Sequence, residues 1–186
     1  PDHGQGIPRG KRTLWDSGLQ VPLVVRFPEK FRHLAPAAPG GKSDRMISLF
    51  DLGPTLLSLA GLPIPAGLDG RAFLGAAAAP ARTYVYGARD RVDEATDLSR
   101  AVRDARYLYI RNYHPDLSWN QPEGYSDQLP LRRELARRAA AGQLNAAQMA
   151  YAGPTKPLEL LYDTQGAPWQ VRNLAGDPQL RPVLER

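Results

Sequence analysis

The sequence predicts an α/β protein: a body with a buried parallel-type strand and an amphipathic helix, followed by a small antiparallel-sheet-plus-helix subdomain. Three patterns lead there. Val21-Pro22-Leu23-Val24-Val25-Arg26-Phe27 is an apolar run closed by Pro28, the signature of a strand covered on both faces. Leu52, Leu56 and Leu59 recur at helical spacing. Further on, Tyr107-Leu108-Tyr109-Ile110 alternates with the period of a half-buried strand.

Taken in order, Pro22 suits only the first residues of its strand, and a polar, Pro/Gly-bearing loop follows from about Glu29 to Lys42. Asp51 is placed to cap the next helix, Pro54 sits in its first turn and Gly61 stops it, so an amphipathic helix packed on a sheet is expected. A turn-rich stretch, Gly67 to Leu74, and an Ala/Pro linker, Ala76 to Pro80, lead to a strand at Thr83–Tyr86. Arg100 to Asn112 reads as a hairpin bent at Arg103-Asp104-Ala105-Arg106. Leu131 to Ala150 reads as one Ala-rich helix, with Glu134 four residues before Arg138. Leu158–Tyr162 is a last strand, and Asp177-Pro178 opens a terminal helix. The expected domains are 1–95 and 96–186, divided near Arg89 to Leu98.

Composition is that of a folded chain, with 42% hydrophobic and 23% charged residues among 186. No apolar run approaches the roughly 20 residues of a membrane span, so no membrane partner is expected. Without cysteine there is no disulfide, thiolate metal site or thiol nucleophile in this stretch. The 24 Lys+Arg against 19 Asp+Glu leave +5, but the cations are interleaved with acids, as in Arg89-Asp90-Arg91-Val92-Asp93-Glu94. Only Arg132-Arg133 and Arg137-Arg138 cluster, and nucleic acid is not the expected partner.

The chemistry concentrates at Pro1-Asp2-His3-Gly4-Gln5-Gly6-Ile7-Pro8-Arg9-Gly10-Lys11-Arg12. Asp2 and His3 can reach one metal ion only where the backbone turns, which Gly4 and Gly6 permit. If extended, Arg9 and Lys11 share a face, and the Gly/Pro-rich bend can return the Lys11 ammonium to an oxyanion that the metal polarises. With no lead-in strand before this motif, the chain reads as the C-terminal part of a larger enzyme.

Together with Trp15-Asp16-Ser17-Gly18, Val21 to Arg26, Ser48 to Leu57, Leu68-Asp69-Gly70-Arg71, Arg89 to Glu94, Arg103 to Asn112, Glu159 to Asp163 and Asn173 to Pro178, this motif makes a long signature. The chain resembles the C-terminal part of the sulfatase family, within the alkaline-phosphatase-like superfamily. The resemblance implies that fold, and hydrolysis of a sulfate ester by a formylglycine made within a Cys/Ser-x-Pro-x-Arg motif. This sequence contains no such motif, so the formylglycine is expected outside this chain.

Carried over position by position, the resemblance makes Asp2 and His3 metal ligands and Lys11 the residue binding a sulfate oxygen. Arg9 is a further candidate for the pocket. His114, following the hairpin, is a candidate for its rim, while His33 reads as a surface histidine. Many sulfatases carry Asn where this chain has His3. A hard oxygen there suits calcium, the ion expected foremost, whereas imidazole suits manganese and leaves phosphonate or phosphodiester chemistry open. A non-catalytic polyanion-binding domain is the alternative from another class. The expected substrate is a sulfated small molecule or carbohydrate, and the family implies a periplasmic or secreted protein. Trp15, Trp119 and Trp169 read as packing residues.

Overall fold

A computed structural model describes residues 6–186, which form two compact units. One comprises the N-terminal segment through Pro22 with Tyr86–Arg186; the other is Leu23–Val85. The helices are α1 (Asp16–Leu19), α2 (Leu52–Leu59), α3 (Pro130–Ala140), α4 (Ala146–Ala152) and α5 (Arg181–Leu184). Among the described residues no helix is long and apolar enough to cross a membrane.

The first unit is built on a sheet in which β1 (Val85–Val92), β2 (Ala95–Arg103), β3 (Tyr107–Asn112) and β4 (Glu159–Asp163) lie side by side in chain order. The expected strand at Thr83–Tyr86 begins instead at Val85 and continues through the charged stretch to Val92. The hairpin falls where expected: Asp104 Oδ1 accepts the N–H groups of Arg106 at 2.7 Å and Tyr107 at 2.6 Å, closing the bend between β2 and β3. Antiparallel register sets Ala101 opposite Ile110 and Ile110 opposite Leu160, while Leu108 faces Tyr162. These residues, with Leu14, Trp15, Trp119 and Tyr151, are the hydrophobic core. Complete burial of Leu108 and Ile110 contributes about 1.5–3 kcal/mol each.

The same face of β2 becomes polar toward its start, because Asp97, Ser99 and Ala101 alternate with outward residues. Ser99 Oγ donates to Asn112 Oδ1 at 2.8 Å, and Asn112 Nδ2 donates to the Pro157 carbonyl at 2.6 Å. The single helix expected over Leu131–Ala150 is two. Gly142 takes a left-handed φ of 65°, and Asn145 restarts the helix by accepting the Gln148 N–H while Gln148 Oε1 accepts the Asn145 N–H. The Glu134–Arg138 pair forms at 2.7 Å, with Arg137 on the same carboxylate.

In the Leu23–Val85 unit α2 forms at the expected place, and among the described residues this unit contains no sheet of its own for the helix to pack on. Its buried residues are Pro54, Thr55 and Ser58, whereas Leu56 is 66% exposed. Thr55 Oγ1 and Ser58 Oγ accept the N–H groups of Phe73 and Ala77, both at 3.0 Å, so the segment beyond Arg71 lies on the polar side of α2. Gly75 permits this: its φ is +84°, and a Cβ there would lie 2.4 Å from Ser58 Oγ. Val21–Phe27, expected as a strand buried on both faces, is not one. Among the described residues no strand hydrogen-bonds to it, and Val24 is 91% exposed. An apolar run becomes a strand only where a neighbour takes its N–H and C=O groups.

Asp51 ties this unit together. Ser48 and Arg71 donate backbone N–H groups to it at 2.9 and 2.8 Å, and Arg82 Nε donates to Oδ2 at 2.9 Å. Burial alone would raise its pKa; these bonds and the Arg82 charge overcome that and hold it at about 2. Because the folded value lies below the unfolded value near 3.9, the stabilisation is complete above about pH 4 and lost as pH falls towards 2. Asp51→Asn is therefore expected to destabilise the protein by about 2 kcal/mol at pH 7, with the difference from wild type narrowing between pH 4 and 2. Urea unfolding at several pH values measures both.

Candidate functional site

Asp2 and His3 lie outside the described residues. From Ile7 the chain winds rather than extends, and Arg9 and Arg12 adopt left-handed φ values of 62° and 74°. Conformations of this kind cost on the order of 1–3 kcal/mol each and persist only where the surroundings impose them. The surroundings here are explicit. Thr13 Oγ1 donates to the carbonyls of Arg9 and Gly10, Leu14 and Trp15 are buried in the core, and Arg12 Nη1 reaches Glu123 Oε2 at 2.7 Å. Gly18 closes the loop from below, since a Cβ there would lie 2.4 Å from the Thr13 carbonyl.

This winding sends the two candidate cations to different surroundings, because the extended backbone that would set them on one face is absent. Arg9 donates to the Trp169 carbonyl at 3.2 Å and the Gln170 carbonyl at 2.7 Å, and its guanidinium stacks 4.6 Å from the Trp15 ring. Lys11 Nζ lies 5.8 Å from the Tyr125 ring, and Lys11 lines a cavity of about 10 Å³ with Arg12, Arg89, Trp119, Gln121 and Tyr151. His114 is exposed in the turn after β3 and is not part of that lining. Trp15 and Trp119 pack against each other with ring centroids 4.8 Å apart, whereas Trp169 is mostly exposed and contributes its carbonyl. Among the described residues no group of three or more His, Asp or Glu side chains could hold a metal.

Behind the cavity lies a buried charge cluster. Lys156 Nζ donates to both Asp97 oxygens, at 2.8 and 2.9 Å, and Arg89 approaches the same carboxylate at 3.5 Å. Both cations lie near the Trp119 ring, Lys156 at 5.1 Å and Arg89 at 5.5 Å. Burial pushes the pKa of Lys156 down, and the bonds to Asp97 oppose that shift. Arg132, from the cationic run of α3, is buried as well, bonding Asp127, the Gln121 carbonyl and the Tyr151 hydroxyl. Its neighbours Arg137 and Arg138 are paired with Glu134, so this cluster is engaged within the chain. Arg89 to Glu94 is likewise engaged: Asp90 pairs with Arg100, and Glu94 accepts the Gly124 N–H at 2.7 Å. Asp97, Glu123 and Lys156 escape a motif search. For Asp97 a signal exists, a carboxylate in phase with Ala95, Ser99 and Ala101 on the inward face of β2.

The sequence profile of the domain described as N-sulphoglucosamine sulphohydrolase, C-terminal, matches residues 9–127, from the wound loop through β1, β2 and β3 to Asp127. The chain belongs to the N-sulphoglucosamine sulphohydrolase C-terminal family. Within that family's wider kin, an ulvan-active sulfatase of Formosa agariphila is 41% identical over 184 residues, covering 98% of this chain and 30% of that protein. Human N-sulphoglucosamine sulphohydrolase is 29% identical over 205 residues, covering 99% of this chain and 38% of that protein. The sulphohydrolase-family chain thus spans about a third of the length of these relatives. Among solved structures, a 2-O GAG sulfatase aligns with a TM-score of 0.45 at 24% identity, over 73% of this chain and 21% of that one.

Asp97 balances two buried cations, so Asp97→Asn is expected to destabilise the domain by about 3–5 kcal/mol. Asp90→Asn, which removes the exposed partner of Arg100, is expected to cost about 1 kcal/mol or less. Urea denaturation of both variants beside wild type measures the contrast.

Proposed function

We propose that this chain is the C-terminal part of a sulfatase that hydrolyses the sulfate ester of a sulfated carbohydrate. The observation that carries the reading is 41% identity to an ulvan-active sulfatase across 98% of the chain, joined to membership of a family named for N-sulphoglucosamine hydrolysis. The Asp2-His3 pair and Lys11 lie in the motif that supports it.

In this reading the Asp2 carboxylate and the His3 imidazole are two ligands of a divalent cation, calcium or manganese, a donor set suited to such an ion. When bound, the cation polarises a sulfate oxygen, and a formylglycine supplied from outside these 186 residues provides the nucleophile. Lys11 contributes a point charge against a second sulfate oxygen. Arg9, through the Trp169 and Gln170 carbonyls, fixes the loop that aims Lys11 and is the lesser candidate for contact with substrate. His114 is the candidate for the rim. Export to the periplasm or the medium is part of the same proposal.

The test uses the complete purified protein with sulfated oligosaccharides and quantifies released sulfate. Lys11→Ala is expected to lower kcat roughly 100- to 1000-fold, as loss of a transition-state electrostatic partner does, with little change in unfolding midpoint. A folded Lys11→Ala protein with wild-type turnover would refute the role. His3→Ala is expected to lower bound metal measured by elemental analysis. Faster turnover of phosphonate or phosphodiester substrates than of sulfate esters would transfer the proposal to that chemistry.

A further inference from the structure

Glu123 is a buried carboxylate to which the proposed chemistry gives no task. It is 2% exposed, and a charge removed from water is costly unless several partners meet it. Oε2 accepts from Arg12 Nη1 at 2.7 Å and from the Ser126 N–H at 2.8 Å, while Oε1 accepts the Tyr125 N–H at 2.9 Å. Burial alone would raise its pKa; the bonds from Ser126 and Tyr125 and the Arg12 charge hold it at about 2. The loop that carries it is fixed independently of Arg12. The Glu123 N–H donates to Asp127 Oδ2 and the Asp127 N–H to the Glu123 carbonyl, both at 2.9 Å, and the buried Arg132 holds Asp127 at 2.8 Å.

The groups it bonds flank Lys11. Arg12 is the next residue in the chain, in a left-handed backbone that the Glu123 contact helps to impose. Tyr125 sets its ring 5.8 Å from Lys11 Nζ, and because Tyr125 is 72% exposed its place comes from the backbone N–H on Glu123 rather than from packing. A lysine ammonium is a point charge on a flexible stem, so aiming it requires a fixed base and a surface along its reach. Here the base and the surface both hang on one carboxylate. Stability alone does not call for such an arrangement, since a well-packed apolar pair in place of a buried ion pair is often as stable or more so.

We propose that Glu123 is a positioning residue for sulfate ester hydrolysis, holding Arg12 and Tyr125 together so that Lys11 meets its sulfate oxygen. The inference rests on the role of Lys11 proposed above and deepens it. Its test makes two measurements on the complete purified protein. In the first, lysines are reductively methylated with isotope-labelled formaldehyde, the Lys11 resonance is identified by its absence in Lys11→Arg, and Tyr125→Leu supplies the position it takes without the ring. Glu123→Gln is expected to move the wild-type resonance towards that position. In the second, Glu123→Gln is expected to lower kcat on sulfated oligosaccharides roughly 100-fold with KM nearly unchanged, as a small misplacement of a catalytic group does. The same substitution in Lys11→Ala is expected to cost nothing further. A merely structural carboxylate would lower turnover by the same factor in both backgrounds. That result, or an unmoved Lys11 resonance, would overturn the inference and leave the sulfatase reading intact. Wild-type turnover in folded Lys11→Ala would instead refute the role of Lys11, and this inference with it. Should Glu123→Gln fail to fold, Arg12→Met, which leaves Glu123 its bonds from Tyr125 and Ser126, takes its place in both measurements with the same outcomes expected.

Discussion

The sheet-bearing unit depends on the burial of Leu14 and Trp15. A loop holding two arginines in left-handed conformations has no local reason to persist, and residues of this type rarely adopt them unaided. Two adjacent core side chains, one packed at a tilt against Trp119, hold its end against β2, β3 and β4. Everything presented by the loop inherits its position from that anchorage, including Lys11 over Tyr125 and Arg12 on Glu123. Removing apolar surface from water thus fixes polar groups that could not fix themselves.

Charge is handled differently in the two units. Around Asp51 one carboxylate gathers backbone N–H groups and an arginine from three separate stretches of chain, so it acts as a tie between segments with no sheet to align them. Around Asp97 the carboxylate lies on a sheet already aligned by its ladder, and its partners Lys156 and Arg89 are drawn inward against Trp119. In the first case the ion pair organises the backbone. In the second the backbone forces ions together, which is a costly arrangement unless each group finds a partner.

Much of the architecture was legible because it rests on local pattern. The period-2 run at Tyr107–Ile110, the bend at Asp104 and the leucines of α2 each carry their own signal, and each forms where that signal lies. Val21–Phe27 failed because a strand is defined by its neighbours, which a single run of residues cannot reveal. The helix over Leu131–Ala150 divides at Gly142 and Asn145, where a left-handed glycine and a capping box override the helical preference of the alanines around them. At the candidate site, Lys11 was found through its motif. The different surroundings of Arg9 and Lys11 followed from backbone twists at Arg9 and Arg12 that no propensity announces. Asp2 and His3 rest on the motif alone.

The sheet-bearing unit is discontinuous, its N-terminal segment parted from the sheet by the whole of Leu23–Val85. The ladder from β1 to β3 joins near neighbours in the chain, through short bends at Asp93 and Asp104, and needs little loop closure. Seating Leu14 and Trp15 requires closing a loop that contains an entire second unit, and that entropy must be lost before any contact rewards it. Docking of the N-terminal segment is therefore the high-contact-order event of folding, and the residues that aim Lys11 assemble after the sheet that receives them.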